Sequence, residues 1–166
     1  MAKSIIEDQD RALVFYHVDF EQSVEISDGA LAHFHRHRQR RICAREAGGQ
    51  VFGTVTAAVV RVLEAYGPRR TDERTRTSFR SDPVAAQHDI DSCAERGLVY
   101  LGEWHTHPEP KPNASPTDLD AFTRLLGRSS LRMNTLLLLI QGTGDGGDSL
   151  SLYSGSSNEI KQWTNS

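Results

Sequence analysis

Apolar positions in this chain come in short blocks, and the spacing inside each block sorts them into strands and helices. Residues 13–20 read as a strand, with 24–26 as its short return. Ser27 then stands as an N-cap with Asp28 in the first turn, which starts a helix over 28–43. Leu31, Phe34, Arg38 and Ile42 lie along it at helical spacing, a stripe that is only partly apolar, and Gly48-Gly49 ends it. Residues 51–62 are rich in β-branched side chains and predict two strands with a turn near 54–58. The stretch 66–81 is charged and interrupted by Gly67-Pro68, so it reads as a mobile surface loop leading into a short strand near 77–79. Asp82-Pro83 opens a second helix that runs to about Arg96 and stops at Gly97. A buried strand over 98–104, a third helix over 116–126, and strands over 135–141 and 150–153 complete the pattern. Helices and strands alternate irregularly, which predicts one mixed α/β domain spanning 1–166.

Composition narrows the class. The chain has 166 residues and 37% apolar content, enough for one core with long polar loops but too little chain for a barrel of eight βα units. The longest apolar run, Leu136-Leu137-Leu138-Leu139-Ile140, is far short of the roughly 20 residues of a membrane helix. The first ten residues turn acidic before a signal-peptide core could form. A net charge of −3 implies no nucleic-acid partner. Cys43 and Cys93 form neither a disulfide framework nor a CxxC clip, so a reduced cytoplasmic protein is expected.

The strand over 98–104 ends in Gly102-Glu103-Trp104-His105-Thr106-His107-Pro108. In extended backbone, residues i and i+2 face one side, so His105 and His107 can address one metal ion. Prolines 108, 110 and 112 stiffen the loop that follows. Ser115 and Asp118 then open the third helix. Two imidazoles and one carboxylate are the ligand set of a hydrolytic zinc site with an open position. Asp118 is a better ligand than Asp120, which points about 200° round the helix from it. Ser-Pro-Thr-Asp is also a good helix start, with Ser115 as N-cap and Asp118 as the acidic third residue, and capping and catalysis are compatible. Such a site needs a general base. Glu46 is the candidate, although position alone favours a solvated helix-end glutamate; Glu64 and Glu103 are weaker candidates.

These residues resemble the JAMM motif of the JAB/MPN metalloprotease family. His105-Thr-His107, seven residues, Ser115 and Asp118 follow that motif, and Glu46, Gly49, Val51 and Gly53 match the upstream pattern Glu-x-x-Gly-x-aliphatic-x-Gly. The resemblance covers about 24–155 and implies a cytidine-deaminase-like fold, a curved mixed sheet flanked by helices. It implies one Zn2+ per chain on His105, His107 and Asp118, with Glu46 deprotonating water and Ser115 stabilising the tetrahedral intermediate. Gly48 stands where many bacterial relatives carry Cys, at small expected cost. Family members cut isopeptide or peptide bonds after the flexible C-terminal tail of a ubiquitin-like protein. The phrase Gly-Glu-Trp-His-Thr-His-Pro-Glu-Pro in a compact chain resembles a bacterial subgroup found in CBASS anti-phage operons. There the relative frees a cGAS/DncV-like nucleotidyltransferase from its target. Neither a nucleic acid nor a membrane is an expected partner.

Other features read as structural. His33 and His37 share a helix face, but with the nearby arginines they read as a solvated basic face. Cys93 and His88 are poorly aligned for a thiol nucleophile. Trp104 is expected beneath the site as core. Competing functions are maturation of a sulfur-carrier or other ubiquitin-like protein, a non-catalytic MPN scaffold, and a zinc phosphoesterase or amidohydrolase. The last places its His-x-His near the start of a large barrel, unlike this chain.

Overall fold

The computed structural model describes residues 13–128, 135–156 and 159–166; the acidic N-terminal segment read above lies outside the described residues. Ten strands and three helices follow one another in the order β1 (Leu13–Tyr16), β2 (Ser23–Ile26), α1 (Asp28–Arg36), β3 (Gly48–Val55), β4 (Val59–Ala65), β5 (Glu73–Arg74), β6 (Phe79–Arg80), α2 (Pro83–Glu95), β7 (Val99–Thr106), α3 (Pro116–Arg128), β8 (Leu136–Gln141), β9 (Leu150–Ser156) and β10 (Glu159–Asn165). Eight of the strands form a closed barrel in the order β1-β10-β9-β8-β7-β3-β4-β2, and β5 and β6 make a separate hairpin. The β2–β4 and β7–β8 pairs are parallel and the others antiparallel.

The sheet is mixed, as expected, and it closes into a barrel, a detail the expectation of a curved sheet did not include, because Phe15 pairs with Asn165 and Tyr16 with Thr164. The closing strand β10 has no counterpart in the sequence reading. Its apolar residues Ile160 and Trp163 are three apart, which is not the alternation of a half-buried strand.

All eight barrel strands send side chains into one core with α1. Phe15, Val24, Val51, Val62, Leu101, Trp104, Leu139, Leu152 and Trp163 meet Ala30 and Phe34 of the helix there. Phe34 is fully buried, and a side chain of its size contributes roughly 1.5–3 kcal/mol on burial. A second cluster lies against α3, where Phe122 packs on Leu136, Leu138, Ile140 and Tyr153. Every residue of β8 is therefore buried, which explains its unbroken apolar run.

Caps set the helix starts. The Ser27 hydroxyl accepts from the Ala30 amide at 3.1 Å and donates to the Leu63 carbonyl at 2.9 Å. Asp82 caps α2 through the Val84 and Ala85 amides, with Pro83 at the first helical position. The first helix is shorter than its periodicity implies. It ends at Arg36 with His37 as C-cap, and Ile42 is 88% exposed rather than buried. Tertiary bonding overrides the pattern: Gln39 is buried, donates to the carbonyls of Ala44 and Arg76, and accepts from Thr106.

The stretch 66–81 is anchored rather than loose. Arg69 reaches Asp89 and the Gln50 side chain, the Asp72 carboxylate accepts from the amides of Arg69 and Asp82, and Arg74 donates to the Glu46 carbonyl. None of the helices among the described residues is long and apolar enough to cross a membrane.

Candidate metal centre

The site is built on β7, between β3 and β8. His105 lies opposite Gly48 on β3 and Ile140 on β8. The two neighbours fix the end of the strand: the Thr106 amide donates to the Ala47 carbonyl at 2.9 Å, and the His107 amide to the Gln141 carbonyl at 2.9 Å. Thr106 faces the other way from the histidines, as strand parity requires. Its hydroxyl accepts from the Ala47 amide and donates to Gln39, so the segment carrying Glu46 is tied to the segment carrying both histidines.

Asp118 arrives from α3. The Ser115 amide donates to its carboxylate at 2.7 Å, and the Asp118 amide donates to the Ser115 hydroxyl at 3.1 Å. This is a reciprocal cap with aspartate in the acidic position. It turns both carboxylate oxygens toward the two histidines. His105 Nε2 lies 3.2 Å from Asp118 Oδ1, His107 Nε2 lies 3.1 Å from Asp118 Oδ2, and the two ring nitrogens are 3.2 Å apart. One ligand atom from each of the three residues lies within 4.8 Å of the others. Asp120 is exposed and takes no part.

Two imidazoles and one carboxylate, partly buried and converging, suit a four-coordinate zinc with one position left for solvent or substrate. The charges agree. Burial alone would raise the Asp118 pKa, but the hydrogen bonds from His105 and His107 hold it well below the usual carboxylate range. Burial opposes a charge on His107, yet the Asp118 hydrogen bond and the Asp118, Glu109 and Glu46 carboxylates raise its pKa above the ordinary value. The site therefore favours cation binding before any ion enters.

Glu46 precedes β3 and is 6% exposed. Its amide donates to the Thr75 carbonyl at 2.8 Å and its carbonyl accepts from Arg74 at 2.6 Å, so the β5–β6 hairpin fixes its backbone. Burial lifts its pKa to about 7, with His107 pulling it down and Asp118 and Glu109 pushing it up. Two of those three are candidate ligands, and the backbone next to Glu46 is bonded to the histidine strand, the Ala47 amide to the Thr106 hydroxyl and the Thr106 amide to the Ala47 carbonyl, both at 2.9 Å. The other two candidate bases are engaged elsewhere. Glu64 is held by both Arg96 nitrogens and the Tyr66 hydroxyl. Glu103 takes hydrogen bonds from Tyr100 at 2.6 Å and Gln50 at 2.8 Å; burial raises its pKa to about 7 as well, but the charges acting on it are Arg69 and Asp72.

Sequence reasoning missed Glu109, whose carboxylate lies 3.1 Å from His107 Nδ1. A carboxylate on the far nitrogen fixes the tautomer and makes the near nitrogen a better ligand. The i, i+2 relation to His107 was the available signal. The pair His33 and His37 is not a solvated face. Both rings pack on buried Trp104, and His33 Nε2 bonds the Gly67 carbonyl at 2.6 Å. Burial, with His33 and Arg36 nearby, drives the His37 pKa down to about 4. Cys93 is buried, whereas His88 is exposed and meets Asp89. A Cβ on Gly48 would lie 2.6 Å from the Phe79 ring and from the Trp104 carbonyl, so in this chain Phe79 fills the place of a side chain there.

Three comparisons place the chain among known proteins. A family described as prokaryotic homologs of the JAB domain matches residues 27–163. A protein named CD-NTase/cGAS isopeptidase from Pseudomonas aeruginosa is 31% identical over 70% of this chain and 76% of its own length. Proteins of that name from Escherichia coli (26%, covering 76% of this chain and 81% of its own length) and Vibrio cholerae (31%, 66% and 69%) are also similar. The solution structure of protein DSY2949 from Desulfitobacterium hafniense superposes with a TM-score of 0.60 at 19% identity, covering 84% of this chain and 88% of that one, a likeness of fold alone. With five-sixths of its residues inside the family match, the chain belongs to the prokaryotic JAB family.

Proposed function

We propose that this chain is a zinc-dependent isopeptidase that frees a cGAS/DncV-like nucleotidyltransferase from the protein to which its C-terminal tail is joined, as part of CBASS anti-phage signalling. The observation that carries the reading is the convergence of His105, His107 and Asp118, with the buried Glu46 on the segment hydrogen-bonded to the histidine strand. The name shared by the bacterial relatives supports the substrate class.

His105, His107 and Asp118 would hold the metal, and Glu109 would orient His107. When bound, zinc supplies a Lewis acid for the scissile carbonyl and lowers the pKa of water. Glu46, with a pKa near neutrality, accepts a proton from the attacking water and later gives it to the leaving amine. The amide C–N bond breaks, the carbonyl carbon gains the water oxygen, and the lysine side chain departs as an amine. The Ser115 hydroxyl accepts from the Asp118 amide, which leaves its own hydrogen to donate to the developing oxyanion.

The test is a conjugate of the nucleotidyltransferase tail to a lysine, or a fusion of the tail to a reporter, incubated with purified protein and analysed by mass spectrometry. The tail should emerge with its native C-terminus. A chelator should stop cleavage, zinc should restore it, and Glu46→Gln should lower the rate by about 10²–10⁴. If this fusion stays intact while a sulfur-carrier or ubiquitin-like fusion is cut, the substrate class is wrong and the chemistry stands. If the chelated enzyme keeps its rate, the metal reading fails.

A further inference from the structure

The arginines of 69–80 do not act as one group. Arg69 is taken up by Asp89 and Gln50, Arg74 by the Glu46 carbonyl, and Arg80 by Glu73 at 3.1 Å. Arg76 behaves differently: it lines a cleft of about 410 Å³ together with Arg40, Arg41, Ile42, Gln39 and Pro108. The cleft comes close to the metal centre along the chain, because its lining residue Pro108 directly follows His107 and its lining residue Ala44 stands two before Glu46. Among the described residues, no carboxylate lines it. Among the described residues, Arg41 and Arg76 have no carboxylate partner, and Arg40 shares Asp145 with Arg38 at 3.3 and 2.6 Å. Ile42, on the same wall, is 88% exposed. The chain as a whole carries a charge of −3, so this cationic concentration is local.

We propose that the Arg40–Arg41–Arg76 cleft binds an extended acidic segment of the substrate next to the scissile bond, with an apolar side chain of that segment set against Ile42. The assignment rests on the peptidase reading above: a cleft opening beside a peptide-cleaving centre receives the substrate's own chain. The exposed isoleucine favours a peptide over a nucleic acid. Exposed charge pairs change affinity by roughly two- to fivefold each. Reversing two of them should therefore cost about tenfold, and salt should weaken the effect because the Debye length is about 8 Å at 0.15 M.

The experiment reads binding, so it does not depend on cleavage. A fluorescein-labelled ten-residue peptide of alternating Glu and Ala with one central Leu is titrated with the zinc-loaded protein at 50 mM salt and followed by anisotropy. The same peptide with Gln for every Glu is the comparison. The wild type should bind the acidic peptide about tenfold more tightly, R41E/R76E should lose that preference, and R41Q/R76Q should lose most of it. R70E/R124E changes net charge equally outside the cleft and should keep the preference. Equal binding of both peptides by the wild type overturns the proposal. So does an unchanged preference in both cleft variants, or an equal loss in R70E/R124E. Single-stranded oligothymidine of ten nucleotides binding more tightly than the acidic peptide would reassign the cleft to nucleic acid and overturn it too. Failure of the fusion assay with anisotropy as expected would count against the substrate reading, not against the cleft.

Discussion

Glu46→Gln should stabilise the metal-free protein at pH 8 and do little at pH 5. The carboxyl is buried, and its pKa rises from an ordinary 4.5 to about 7. Below 4.5 it is protonated in both folded and unfolded chains, so it brings no penalty. Between 4.5 and 7 the unfolded chain ionises it while the folded chain keeps the proton, and stability falls as pH rises. Above 7 the penalty is constant. A shift of this size corresponds to about 3 kcal/mol at full value. Relaxation of the folded chain around an ionised carboxyl reduces the expected gain to about 1–2 kcal/mol. For a chain of this length that is a rise of about 4 °C in Tm at pH 8. At pH 5 about a quarter of the effect should remain. Thermal melts of both proteins in chelator across pH 5–8, followed by circular dichroism, read this directly. Equal Tm at pH 8, or a difference that does not change with pH, would refute the claim that burial holds a proton on Glu46.

Three other outcomes follow from the same geometry. His105→Ala, His107→Ala or Asp118→Ala should each lower bound zinc from about one per chain, and metal analysis showing unchanged content in His107→Ala would remove that ligand. Glu109→Ala should weaken zinc about 10–100-fold through the far nitrogen of His107, measured by competition with a chromophoric chelator; unchanged affinity would make Glu109 a surface residue. Ser115→Ala should lower turnover about 10²–10³-fold and stability by about 1 kcal/mol if the hydroxyl that caps the helix is also the proposed oxyanion donor. A stability loss with normal turnover leaves the cap alone.

The parts legible in the sequence were those set by local rules. The starts of α2 and α3 are written in Asp82-Pro83 and Ser115-Pro116, the buried strand β8 in its run of leucines, and the convergence of His105 and His107 in strand parity. Features decided by distant partners were not. The stripe Leu31, Phe34, Arg38, Ile42 continues past Arg36, but the needs of the Gln39 amide end the helix there. Barrel closure depends on pairing Phe15 with Asn165, which no window along the chain contains. Glu109 sits in a proline-rich loop, where its i, i+2 spacing from His107 is the one local signal and does not by itself fix a side chain behind the ring. The arginines of 69–80 look alike in sequence and separate only when their neighbours are known.

The β5–β6 hairpin divides its work between root and tip. Arg74 and Thr75 grip the backbone of Glu46, while Arg76 and Thr77, one step further on, line the arginine cleft. The Thr75 amide bonded to the Ser78 carbonyl closes the tip on itself. Residues 76 and 77 can therefore be randomised in a selection for new peptide ligands while the backbone of Glu46, the proposed base, stays where it is, which makes this turn a practical handle for testing and changing specificity.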